Sequence, residues 1–275
     1  MNLRFGCGRK SVCLAIAAFM LLMLLGLSPP GIQQARAQQA TTDTLTVATD
    51  TAFLPFEFKE GAKYVGFDID LLDLITRQMG VSYSLLPMDF SNIFQSLSSG
   101  KVDMAIAGIS ITQERERSME FSDPYFRSDI SLVVASDNTD IQHFADLADK
   151  RVGVKRGTDA ADFVVRRVPQ ARITYFQNMD TGFPYLEVAA GRLDALVHDT
   201  ANVRYYSQHK GQGLVKVVDA AATESNFYAI AMPKGSALKA RVNAALRKAM
   251  ASGEYARIYQ KWFGVQPDPA TLVIH

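Results

Sequence analysis

The sequence predicts an α/β fold with mostly parallel strands. Three observations lead there. Short apolar runs alternate with segments whose apolar residues recur at helical spacing. Several runs end in polar or charged residues, the position where open α/β sheets carry their ligands. Finally, "GKVDMAIAG" at 100–108 is echoed by "GRLDALVHD" at 191–199: a helix-stopping Gly, a basic residue, an apolar residue and an Asp precede a strand in both. Two α/β lobes built on one plan would give this echo, and so would a shared helix-to-strand turn.

Ahead of the first strand lies a segment of different character. Arg4, Arg9 and Lys10 precede an apolar run from Val12 to Leu27, followed by Pro29-Pro30 and the small-residue site Ala35-Arg36-Ala37. This is the order of an export signal over residues 1–37, cleaved after Ala37. A membrane anchor is the competing reading of the run; the helix-breaking prolines and the A-x-A site favour cleavage. Cys7 and Cys13 both fall in this segment, so the chain beyond it has no disulfide, thiolate metal site or cysteine nucleophile. Removing Arg4, Arg9, Lys10 and Arg36 from 29 basic against 28 acidic residues leaves a net charge of about −3. That balance argues against a nucleic-acid partner. The ~240 residues that remain suffice for one large domain or two small ones.

The expected strands are "LTVAT" (45–49), "YSLLPM" (83–88), "MAIAG" (104–108), "SLVVA" (131–135), "RVGVK" (151–155), "ALVH" (195–198), "VKVV" (215–218) and "YAIAM" (228–232). A helix is expected over Asp68–Met79, with Ile69, Leu71, Leu72 and Ile75 on one face and Gly80 as its stop. A shorter one from Ser91 buries Ile93, Phe94 and Leu97 and stops at Gly100. Ser236 is placed to cap a helix bearing Leu238, Val242, Leu246 and Met250, and "YARIYQKWFG" reads as a last helix with aromatic anchors.

The chemistry gathers at the strand ends. Asp50 follows LTVAT, Gly108 and Ser110 follow MAIA, Lys155 ends RVGV, and His198 and Asp199 follow ALV. A lone Asp or Ser there would be an ordinary cap or turn residue; so many together point to a site. With Arg115, just beyond MAIAG, the charges of Asp50, Arg115, Lys155 and Asp199 sum to zero, which suits a zwitterion with an uncharged side chain. Arg115 can grip a carboxylate bidentately, and Asp199 can take an ammonium. Asp50 and Lys155 then remain as acceptor and donor for a group that both donates and accepts, such as a primary amide. Phe53 and Phe90 offer apolar faces for a methylene chain, or simply pack in the core. Gly157-Thr158 leads into a helix starting near Asp159, whose free N–H groups attract negative charge, although Thr158 also reads as a plain N-cap. His143, His198, His209 and His275 show no metal-ligand spacing, and no Walker A or G-x-S-x-G motif occurs, so neither metal nor cofactor is expected. For His198 and Asp199, adjacency argues against a catalytic dyad, since neighbours on a strand are expected to point to opposite faces.

Taken together, "LTVATDTAFLPFEF", "YVGFDIDL", "PMDFSNIFQSLSSGKVDMAIAGISIT", "FSDPYF", "VHDT" and "AMPKG" resemble the polar amino-acid solute-binding proteins of bacterial ABC importers, over residues 44–264. The resemblance implies a two-lobed α/β fold of the periplasmic binding protein type (type II), each lobe a mixed, mostly parallel sheet flanked by helices. It places lobe 1 at 44–124 plus 228–264, lobe 2 at 130–222, hinges near Tyr125–Asp129 and Glu224–Tyr228, and a tail at 265–275. It implies that Arg115, helped by the Ser110 backbone and the N–H of Asp159, clamps a carboxylate. Asp199, the Gly108 carbonyl and the Ser110 hydroxyl would hold the ammonium. Asp50 and Lys155 would read a side-chain amide with His198 beside them, between Phe53 and Phe90. The pattern is nearest that of glutamine-binding members, so L-glutamine is the expected ligand, an inner-membrane ABC permease the expected partner, and a periplasmic monomer the expected form. Two positions depart from the family pattern: Ser110 replaces Thr and keeps the hydroxyl, and Asp159 replaces Gly, adding a carboxylate beside the ligand's own.

A binding protein for another polar amino acid is the alternative within the family, and two other function classes share this scaffold. An exported cyclohexadienyl or arogenate dehydratase would need an acid or base at the reacting carbon, and His198 is the candidate. A receptor sensor domain would need a membrane-spanning segment after the lobes. The pairing of each polar group with a ground-state partner favours binding without catalysis.

Overall fold

The computed structural model describes residues 44–218 and 226–268. The expected export signal, hinge residues Glu224 and Ser225, and the last seven residues of the tail lie outside the described residues. The first lobe opens with β1 (Thr44–Asp50), whose last four residues are buried on both faces, as in a parallel strand covered by helices. A hairpin of β2 (Phe58–Glu60) and β3 (Lys63–Val65) leads to α1 (Phe67–Met79), which buries Phe67, Leu71, Leu72 and Ile75. There follow β4 (Ser82–Met88), α2 (Phe90–Ser98), β5 (Met104–Ala105), α3 (Gln113–Glu116) and β6 (Met119–Phe121). Strand β7 (Phe126–Ser128) then leads into the second lobe: β8 (Ile130–Ala135), a 3-10 turn at Phe144–Leu147, β9 (Arg151–Lys155), α4 (Asp159–Arg167), β10 (Arg172–Phe176), α5 (Phe183–Ala189), β11 (Ala195–Asp199), α6 (Thr200–His209) and β12 (Val215–Val218). Strand β13 (Asn226–Tyr228) pairs antiparallel with β7 on the way back to β14 (Ala231–Pro233), α7 (Leu238–Ala251) and α8 (Glu254–Phe263).

The two sheets share one plan. The first runs β4-β1-β5-β14-β6 and the second β10-β9-β11-β8-β12. In each, three parallel strands in the order second-first-third are followed by an antiparallel fourth and by a fifth that pairs antiparallel with the fourth. The sequence echo marks the connection into the third parallel strand. Asp103 receives the Thr46 N–H at 2.7 Å and donates its own N–H to Thr46 O at 2.9 Å; Asp194 does the same with Arg151 at 2.7 and 2.8 Å. The two halves of the echo therefore clasp the first of the three parallel strands of their lobes in the same way. Gly100 and Gly191 turn the chain just before, with φ of 69° and 67°.

Three expectations change. The run "MAIAG" pairs as a strand only over Met104–Ala105, because Gly108 has φ 54° and gives its N–H to the Asp68 carboxylate at 2.9 Å and not to a neighbouring strand. The run "YAIAM" is two strands in different sheets. Tyr228 ends β13 and Ala231 begins β14, and between them Ile230 gives its N–H to Ser122 Oγ at 3.0 Å. Burial from both sides made the run continuously apolar and hid the break. Helix α7 starts at Leu238 with Ala237 in the cap position; Ser236 still caps from one residue earlier, accepting the Leu238 N–H at 3.3 Å.

The first lobe's core joins Phe67, Leu71 and Ile75 of α1 to Val242, Leu246 and Tyr255 of the last two helices. Phe126 of β7 stacks near Tyr228 and Tyr259 and close to Phe263, so the last helix anchors the crossing ladder through aromatic rings. The second core packs Val152, Val154 and Val197 against Phe163 and Val164. Among the described residues no helix is long and apolar enough to cross a membrane.

Candidate functional site

The polar strand ends meet between the two sheets. Asp50 closes β1 in one lobe, Lys155 closes β9 in the other, and their carboxylate and ammonium form an ion pair at 1% and 2% exposure. Strand termini of two lobes thus meet through side chains of opposite charge. Burial alone would lower the Lys155 pKa; Asp50, with Asp180 behind it, raises it instead and keeps the ammonium charged. Phe53 and Phe90, expected to offer apolar faces, frame this ammonium, their ring centres 5.1 and 5.6 Å from Nζ. The His198 ring lies tilted against Phe53, 5.4 Å between centroids.

A second group forms around Arg115, in the one-turn helix α3 that Thr112 caps. Its guanidinium donates to Ser110 O at 2.9 Å in its own lobe and to Gly157 O at 3.0 Å in the other, and lies 4.7 Å over the Phe94 ring. Asp159 begins α4 just beyond Gly157, with its carboxylate bonded to the Asn226 side-chain amide of β13. Burial and then Asp199 push its pKa up to about 6, against the lowering effect of Arg115. Asp199 itself receives the Tyr228 hydroxyl at 2.5 Å and the Ser128 hydroxyl at 3.1 Å. Burial would raise its pKa, but His198 and these hydroxyls hold it below the ordinary value. Gly108 is tightly enclosed, since a Cβ there would lie 2.4 Å from the Phe53 ring.

One geometric expectation fails. His198 and Asp199 do not point to opposite faces: Nδ1 of His198 is 3.0 Å from Asp199 Oδ2. Asp199 is both the last residue of β11 and the N-cap of α6, so strand alternation stops at that residue. The contact lacks hydrogen-bond alignment, for both ring nitrogens of His198 are without a hydrogen-bond partner, as is the buried Ser110 hydroxyl.

The structure therefore brings Asp50, Phe53, Phe90, Lys155 and His198 into one group and Ser110, Arg115, Asp159 and Asp199 into a second, with Gly108 packed under Phe53. Sequence reasoning missed the residues behind them. Tyr228 and Ser128 fix the Asp199 carboxylate. Asp180, after β10, accepts the Leu54 N–H at 2.8 Å, and Asn202 of α6 donates to Leu54 O at 2.7 Å and to Asp180 at 3.0 Å, so two residues of one lobe clasp a single residue of the other. The position of Asp180 beyond a strand end was the available signal; it went unused because "RITYF" is largely exposed and lacks a continuous apolar run.

Comparison with known proteins gives this geometry its context. The arginine-binding extracellular protein ArtP of Bacillus subtilis is 30% identical over 80% of this chain and 86% of its own. The structure of the arginine-, lysine-, histidine-binding protein ArtJ from Geobacillus stearothermophilus superposes with a TM-score of 0.79 at 35% identity, covering 83% of this chain and 99% of that one. An ancestral arginine-binding protein bound to glutamine superposes with a TM-score of 0.75 at 39% identity, covering 81% and 98%. Residues 45–265 match the sequence profile of one family throughout, and the chain belongs to it: the bacterial extracellular solute-binding proteins, family 3.

Proposed function

We propose that the protein binds L-glutamine between its lobes and delivers it to the permease of an ABC importer, acting as an exported, periplasmic monomer that performs no chemistry on its ligand. Residues 1–37 are its export signal, residues 44–124 with 228–264 and residues 130–222 are its lobes, and the β7–β13 ladder is the hinge. Arg115 clamps the α-carboxylate with the N–H groups of Ser110 and Asp159, and Asp199 takes the ammonium with the Gly108 carbonyl and Ser110 hydroxyl. Asp50, Lys155 and His198 read the side-chain amide, with Phe53 and Phe90 along the methylenes. Contacts to both lobes favour the closed form, which is how a ligand drives hinge closure.

One observation carries the choice of ligand: the side-chain end of the cleft holds a buried cation, Lys155, paired with Asp50. ArtP and ArtJ are named for arginine and other basic amino acids, yet a cationic side chain here would meet an ammonium whose partner already neutralises it. A neutral amide can accept from Lys155 and donate to Asp50. A scaffold 39% identical to this chain holds glutamine, so the fold accommodates that ligand. Calorimetry of residues 38–275 against the twenty amino acids tests the reading. Glutamine is expected to bind with micromolar Kd, about −8 kcal/mol. Asp199→Ala is expected to abolish binding of every amino acid, and Asp50→Ala chiefly to relax side-chain selectivity. Arginine as the tightest ligand would reject the choice of glutamine, and no heat with any amino acid would reject the binding function.

A further inference from the structure

Asp159 is out of place in a site built for a zwitterion. The expected cleft balances its charges with Asp50, Arg115, Lys155 and Asp199, and Asp159 adds a carboxylate at the end where the ligand's own carboxylate belongs. The residue is only 9% exposed, and burial and then Asp199 hold its pKa at about 6, with Arg115 as the opposing influence. It also lines a crevice of about 700 Å³ together with Thr112, Arg117, Asp162, Phe163 and Asn226, so protons reach it from solvent. The charged and titratable groups facing it are Arg115 and Glu114 of α3, Arg117 just after that helix, Asp199 of β11, Tyr228 of β13, and Asp162 and Arg166 on its own helix. Asn226 of β13 contributes only an uncharged amide.

Resting on the amino-acid reading above, we propose that Asp159 is a specificity-determining residue that competes with the ligand's α-carboxylate for Arg115, so that capture takes up a proton and is tighter in mild acid than at neutral pH. The sign follows from charge. A bound carboxylate beside Asp159 raises the pKa of Asp159 further, so the complex holds a proton that the free protein loses above about pH 6. Affinity is then highest below that pH and falls as pH rises, by no more than about tenfold per pH unit for one linked proton. Once protonated, Asp159 changes from a repelling group to a hydrogen-bond donor for the carboxylate.

The test is calorimetry of wild type, Asp159→Asn and Asp159→Gly with L-glutamine and with L-arginine at pH 5.5, 6.5 and 7.5. L-glutamine α-amide, which has no carboxylate, serves as the comparison ligand. Wild type is expected to bind its amino acid about tenfold more weakly at pH 7.5 than at 5.5. Its observed heat should depend on the ionisation enthalpy of the buffer. Both variants are expected to bind more tightly than wild type at pH 7.5, with the pH slope gone, and the α-amide should show no such slope in any of the three proteins. The Asn variant keeps the size of the side chain and separates Asp159 from the other titratable groups, His198 included. A slope that persists in both variants, or one that the α-amide shares, overturns the proposal. Silence of all three proteins toward both amino acids at every pH would remove the binding reading itself, and this inference with it.

Discussion

At the scale of single residues, the proposed function makes Lys155 the side chain that decides what the cleft accepts. Its ammonium is buried between two aromatic rings and paired with Asp50, so removing it leaves a buried carboxylate without its partner, at a cost of about 2–5 kcal/mol. Lys155→Met is therefore expected to weaken glutamine binding by about thirtyfold or more, the lower end of that range. It should also bring in arginine or lysine, whose side-chain cation replaces the lost ammonium beside Asp50. Competition binding of the three amino acids checks this, and an unchanged preference for glutamine would place Lys155 outside the recognition of the side chain. Asp50, Lys155, Asp199 and Arg115 were readable in the sequence because open α/β sheets put ligands at strand ends, and a set of charges that cancels is unusual for caps and turns. The contact between His198 and Asp199 was unreadable, since strand alternation ends where Asp199 turns into the cap of α6. Asn202 lies three residues past Asp199 and took no part in the reading, because its partners, Leu54 and Asp180, are distant in sequence.

At the scale of elements, strands buried on both faces announce themselves as apolar runs, and β1, β8, β9 and β11 fall where the sequence placed them. Half-exposed pieces do not: the β2–β3 hairpin, β10 and the short strand β7 have mixed burial and no run to detect. The clasp between lobes belongs to this scale, because α6 and the loop after β10 hold the backbone of Leu54 from opposite sides through its O and N–H. These are protein-to-protein bonds between the lobes, so under the proposed hinge motion they stabilise the closed form whatever lies between. Loss of the Asn202 amide removes bonds to Leu54 O and Asp180, worth about 1–3 kcal/mol when the remaining partners stay buried. Asn202→Ala is thus expected to lower affinity for every ligand by a similar factor and to enlarge the radius of gyration in small-angle scattering. A change in selectivity without a change in size would assign Asn202 to the ligand and not to closure.

At the scale of the whole molecule, buried carboxyls set how stability responds to pH. Asp68 is fully buried beneath the Gly108 loop, where it receives the Gly108 N–H at 2.9 Å and the Tyr125 hydroxyl at 2.8 Å. Burial nevertheless raises its pKa from 3.8 to about 7. Burial, with Asp68 and Asp50 nearby, pushes the Glu57 pKa well above the usual carboxylate range. Asp159 adds a third raised carboxyl, at about 6. For each, the folded chain holds a proton that the unfolded chain releases near pH 4, so folding stability falls as pH rises from about 4 through the folded pKa and levels off beyond it. Asp199 works in the opposite sense: its lowered pKa gives stability that is present above the ordinary carboxylate value and lost as pH falls below it. The melting temperature is therefore expected to peak in mild acid and to drop by several degrees between pH 5 and 8, at about 2–4 °C per kcal/mol for a chain of this size. Asp68→Asn, which keeps an oxygen for Gly108 and Tyr125 while removing the titration, should flatten the fall between pH 5 and 7 and melt higher than wild type at pH 8. A wild-type melting curve that rises across the same interval, or an equal slope in the Asn variant, would show that the Asp68 carboxyl is ionised in the folded protein and carries no stored proton.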